Sequence, residues 1–129
     1  MPHRILLAMA FAGVATLPAM AQDDLVAAGE KVFKKCAACH AVGEGAKDRV
    51  GPSLNGVIGR TAGTEEGFKY SPAMVKAGES GIVWNAETLD TYLADPKADI
   101  PGNKMTFPGL KKEEDRKAVI AYIQANCCS

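Results

Sequence analysis

Cys36, Cys39 and His40 are the residues best suited to chemistry in this chain, and they stand together as Cys36-Ala37-Ala38-Cys39-His40. Two thiols separated by two residues, with an imidazole directly after, form the attachment pattern of c-type haem. The thiols add across the porphyrin vinyl groups, and the adjacent imidazole falls under the iron as a proximal ligand. Three other chemistries use similar residues. A thioredoxin-like dithiol needs a strand ahead of it and a parallel sheet around it, and no segment here alternates convincingly. A structural zinc site normally needs four protein ligands; Cys127 and Cys128 are adjacent, which makes a poor second chelating arm. A plain Cys36–Cys39 disulfide would leave the glycine-rich stretch that follows with nothing to wrap.

The sixth ligand separates an electron carrier from a haem that binds or transforms small molecules. Met1–Ala21 carries His3 and Arg4, then an apolar run over 5–17, then Pro18-Ala19-Met20-Ala21. That order is read as a secretory leader cut before Gln22. A membrane anchor is the alternative, but the run is short for a bilayer, which takes about 20 residues. The expected mature chain is 22–129, exported, soluble and not membrane-spanning. His40 is then its sole histidine, which excludes bis-histidine ligation in a monomer. Met74 and Met105 remain. Met105 lies in Ile100-Pro101-Gly102-Asn103-Lys104-Met105, stiffened by proline and bent by glycine, whereas Met74 follows Pro72 on an expected short helix, the usual place of a core filler. His40 and Met105 are therefore the expected metal ligands.

The elements that must position these groups are few. The chain has 129 residues, enough for one domain, and its 15 basic and 15 acidic side chains exclude a wholesale nucleic-acid binder. With Arg4 gone, acidic groups outnumber basic by one. Helical spacing is read from Asp23 or Asp24 to Cys36, from Asn85 (an N-cap) to just before Pro96, and from Glu113 to near Asn126. A shorter helix is expected at Ser71–Ala77, with Pro72 at its first position. Nine of the 13 glycines fall between His40 and Trp84. A loop that long is sensible if it wraps a large rigid ligand that supplies the missing core. The fold class is all-α: three main helices plus long glycine-rich loops around a covalent haem.

Several motifs in one order carry a resemblance: Cys36–His40, Gly51-Pro52-Ser53-Leu54, Gly59-Arg60, Phe68-x-Tyr70-Ser71, Trp84, Leu89-x-x-Tyr92-Leu93-x-x-Pro96 and Pro101-x-x-Lys104-Met105-x-Phe107-x-Gly109. With Ala121-Tyr122 near the end, they resemble the class I c-type cytochromes, the bacterial cytochrome c2 and mitochondrial cytochrome c group. The resemblance implies that Pro52 accepts a hydrogen bond from His40 through its carbonyl. It implies that Arg60, Tyr70 and Trp84 donate to the haem propionates and that Tyr92 lies near the methionine sulfur. Gly29, Phe33 and Tyr122 match the crossing of the first and last helices. Met74 departs from mitochondrial members, which are polar there. Cys127-Cys128 stands outside the motif, free to pair with each other, to crosslink two chains or to be modified.

By the same resemblance the protein is a periplasmic one-electron carrier and not an enzyme, running from a bc1-type complex to a terminal oxidase or photosynthetic reaction centre. Its docking edge is lined by Lys34, Lys35, Lys47, Lys97, Lys104, Lys111 and Lys112, with Lys35 and Lys104 nearest the haem motif and the ligand methionine. The rival is a haem enzyme or gas-binding protein with an open sixth position, which needs Met105 off the iron. A zinc-binding or dithiol interaction module is the other, and it would carry no haem.

Overall fold

A computed structural model describes residues 9–13 and 19–128, so most of the expected leader lies outside the described residues. Among the described residues there are five helices and, in place of a sheet, one isolated bridge between Thr61 and Val83. The first helix, α1, spans Ala19–Phe33, so the expected cleavage junction falls within it. It ends before Cys36, earlier than the apolar spacing implies. Beyond Phe33 the bonds are mixed: the N–H groups of Lys35, Cys36 and Cys39 reach back three residues, to Val32, Phe33 and Cys36, while those of Ala37 and His40 reach back four, to Phe33 and Cys36. These turns keep the three-residue spacing of a helix face without continuing the helix.

Three short helices follow the glycine-rich loops. In α2, Pro72–Glu79, Ser71 Oγ caps Met74 N–H and Pro72 opens the helix. In α3, Ala86–Ala94, Asn85 and Thr88 cap each other reciprocally. Pro96 ends that helix and also opens α4, Pro96–Asp99, capped by Asp95; this element is an addition to the helices read from the sequence. The last helix, α5, spans Glu113–Cys127 with three acidic residues in its first turn.

The frame is the crossing of α1 and α5. Gly29 is buried there, and a Cβ on it would run into the Ala118 carbonyl and lie 2.7 Å from Tyr122 Cβ. Phe33 and Tyr122 pack with ring centroids 5.2 Å apart. Arg116 of α5 ties in α3 and the preceding loop, donating to Asp90 Oδ1 at 2.7 Å and to the Leu110 carbonyl at 2.9 Å. The buried core runs from this crossing through Val119, Ile120 and Ile123 to Leu89, Tyr92, Trp84 and Ile100. Leu54, Tyr70, Leu93, Met105, Phe107 and Cys36 pack against it while remaining only half buried.

Candidate functional site

The turns after α1 place Cys36 and Cys39 one turn apart, and both carry free thiols. Burial pushes the Cys36 thiol up to about 11, with the Lys35 charge opposing. His40 Nδ1 lies 2.7 Å from the Pro52 carbonyl. The carbonyl can only accept, so Nδ1 carries the proton and the lone pair of Nε2 points the other way, free for a metal. Burial lowers the ring's pKa; the Pro52 bond works against that, and the nearby Arg49 charge adds to it. Gly51 lies flat on the imidazole: a Cβ there would be 2.5 Å from Cε1 and within 3 Å of both ring nitrogens.

The two methionines have different settings. Met74 sits in the buried core on α2. Met105 is half buried, on a loop without regular structure, and packs against the same core as Cys36. Asn103 shapes that loop. Its Oδ1 accepts Met105 N–H at 2.8 Å, and its Nδ2 donates to the carbonyls of Pro96 and Ile100, each at 2.8 Å.

Arg60 and Trp84 are brought side by side by backbone bonds flanking the Thr61–Val83 bridge, Trp84 N–H to the Arg60 carbonyl at 2.9 Å and Gly59 N–H to the Trp84 carbonyl at 2.7 Å. The Arg60 guanidinium pairs with Glu65 and donates to the Asn55 carbonyl at 3.0 Å. Glu65 N–H donates to Tyr70 Oη at 3.1 Å, leaving the phenol proton available to another acceptor. Burial raises the Tyr70 pKa, with the Glu65 N–H bond opposing. Tyr92 packs against Trp84 with ring centroids 5.1 Å apart and planes tilted by 46°, and burial, then Asp99, pushes its pKa up to about 12.

Comparison with known proteins decides the family. The cytochrome c family model matches residues 26–126. The chain is 56% identical to cytochrome c2 of Afifella marina over 101 residues, covering 78% of this chain and 82% of that one. It is 53% identical to cytochrome c2 of Blastochloris viridis over 107 residues, covering 83% and 80%. The solved structure of cytochrome c2 from Rhodospirillum centenum superposes with a TM-score of 0.74 at 45% identity, over 78% of this chain and 96% of that one. The chain belongs to the cytochrome c family.

The donor set fits the family's cofactor: two unpaired thiols a turn apart, an imidazole with one nitrogen tied, and half-buried apolar side chains packed on the core that Cys36 also touches. This cytochrome carries one haem c, attached covalently through Cys36 and Cys39. The haem supplies an iron that gains and loses one electron, and the protein is an electron carrier rather than an enzyme. The zinc alternative loses its second arm, because Cys127 and Cys128 are bonded to each other, and among the described residues no three His, Cys, Asp or Glu side chains converge. Nor is any described helix long and apolar enough to cross a membrane.

Asp48, Arg49, Glu65 and Asn103 act at the site without having been singled out in the sequence. Arg49 donates to the carbonyls of Ala37 and His40, the latter at 2.9 Å, and Asp48 Oδ1 accepts Ser53 N–H at 2.7 Å. The Arg49 bonds link a side chain to backbone 12 and 9 positions away and leave no periodic trace. Asn103 alone had a local signal, lying after a Pro-Gly pair where Asn commonly bonds nearby backbone.

Proposed function

We propose that His40 Nε2 and the Met105 sulfur are the two axial ligands of the haem iron, and that the protein is a periplasmic carrier exported by a leader ending at Ala21. Electrons reach it from a bc1-type membrane complex and leave for a terminal oxidase or a photosynthetic reaction centre. The observation that carries the ligand assignment is the contrast between the methionines: Met74 is buried on a capped helix, while Met105 is half buried on a loop beside the core that Cys36 touches. His40 supports it from the other side, its Nδ1 committed to Pro52. A soft thioether paired with imidazole raises the reduction potential, and a ligand set kept in both oxidation states keeps rearrangement small. Pro52 makes the imidazole more basic and fixes its plane. Tyr70 and Trp84 offer donors to the propionates, Arg60 shares its charge between them and Glu65, and Tyr92 tunes the sulfur side. The exposed Lys35 and Lys104 steer acidic partners to the haem edge.

The test is the visible spectrum of the holoprotein against Met105→Ala. The parent should be low-spin with a weak far-red sulfur-to-iron band, and the variant should lose that band while its haem stays attached. Persistence of the band in the variant would move the ligand to Met74. A high-spin parent that shifts with carbon monoxide would favour the open-site reading.

A further inference from the structure

The turn that carries Cys36, Cys39 and His40 lies beyond the end of α1; its Cys36 carbonyl is satisfied within the turn by the Cys39 and His40 N–H groups, while the carbonyls of Ala37, Cys39 and His40 need partners from elsewhere. The segment from Asp48 to Ser53 supplies them. Gly51 N–H donates to the Cys39 carbonyl at 2.9 Å, and Arg49 donates to the carbonyls of Ala37 and His40. In return, the Pro52 carbonyl accepts a hydrogen bond from His40 Nδ1–H. The segment is itself braced, by Arg49 N–H to the Gly51 carbonyl at 2.9 Å and by Asp48 Oδ1 on Ser53 N–H. Within this set of bonds to the turn, only Arg49 brings a charge. Both of its bonds come from the one Nη2, whose two protons are fixed in the guanidinium plane, whereas an ammonium on a flexible stem has no such fixed plane.

We infer that Arg49 is a positioning residue of the redox site: its guanidinium clamps the Ala37 and His40 carbonyls, fixes the turn that presents His40, and holds the reduction potential up. This rests on His40 being a haem ligand. The oxidised haem carries one more positive charge than the reduced form, so a cation fixed beside the proximal ligand disfavours oxidation. Arg49 is exposed, and salt therefore weakens that part of its effect. The clamp itself is a pair of short-range bonds that salt leaves in place.

The test compares holoprotein with Arg49→Gln and Arg49→Lys. The low-spin spectrum with its sulfur band is recorded first; its absence from the parent would count against the ligand reading and not against Arg49. Hydrogen exchange of the Gly51 amide and the His40 ring proton is then followed by NMR in the reduced protein, and the potential is titrated at low and high salt. Arg49→Gln should exchange roughly tenfold faster at both protons, the loss expected of charge-assisted bonds, and its potential should fall, more at low salt. Arg49→Lys should keep a potential near the parent's while exchanging faster. Unchanged exchange in Arg49→Gln would overturn the clamp, leaving a surface charge only. Faster exchange with an unchanged potential would also overturn the inference, reducing the residue to a structural tie.

Discussion

The segment that holds His40 and the segment that holds Met105 are both loops, and they differ in what is tied down. On the His40 side the functional ring itself is bonded, through Nδ1 to Pro52, and its face is covered by Gly51. On the Met105 side only the backbone is bonded, through Asn103, and the thioether depends on packing. Sulfur is a weak acceptor, so a methionine is aimed by the chain that carries it and by packing, not by a strong bond to its own side chain. Imidazole, with two distinct nitrogens, can be gripped by one and used by the other. One side is therefore rigid by bonding and the other by loop shape, and the Met105 side should yield first.

The sharpest way to break this contrast is Gly51→Ala. Its methyl would strike the His40 ring, and overpacking of this kind should cost about 3 kcal/mol, seen as earlier thermal unfolding of the holoprotein. The sulfur band should survive below the transition. A band lost before unfolding would mean that the two sides are not independent. Asn103→Ala comes next. It strips three loop bonds and should cost about 1–2 kcal/mol, with a weakened sulfur band and faster binding of added imidazole; an unaltered band would show that packing alone aims Met105. The smallest structural effect belongs to Lys35→Glu and Lys104→Glu, one on each side. Stability should move by no more than ~0.5 kcal/mol. Association with a bc1-type complex should slow for both at low salt and recover at high salt. Slowing by only one would place the docking edge on that side.

Much of this was legible beforehand because it is local. Asn85, Ser71 and Pro72 announce helix starts, and Cys36–His40 names its cofactor by spacing alone. The apolar spacing overruns the end of α1 because the turns after Phe33 preserve the facing of apolar positions, so the pattern runs on to Cys36 after the helix has stopped. The short α4 leaves little signal because Pro96 reads as a terminator, although the Asp95-Pro96 pair that ends one helix also caps and opens the next. Arg49 and Glu65 were illegible for a different reason. Each finds its partner through the folded path of the glycine-rich loops, and a lone charge in a loop reads the same whether it meets solvent or a carbonyl. The two methionines were separable from sequence because proline placed one on a helix and proline with glycine placed the other in a loop.

The crossing at Gly29 and Ala118 has a bearing on how the molecule comes apart. It joins residues far apart in the described chain, so everything between them, the loops of His40 and Met105 included, is enclosed in one large ring closed by that contact. Opening such a ring releases the conformational freedom of the whole interior at once. Fraying of α1 uncovers α5, and fraying of α5 uncovers α1, so a protease nibbling at either helix meets the stability of the entire protein and not that of a loose tail.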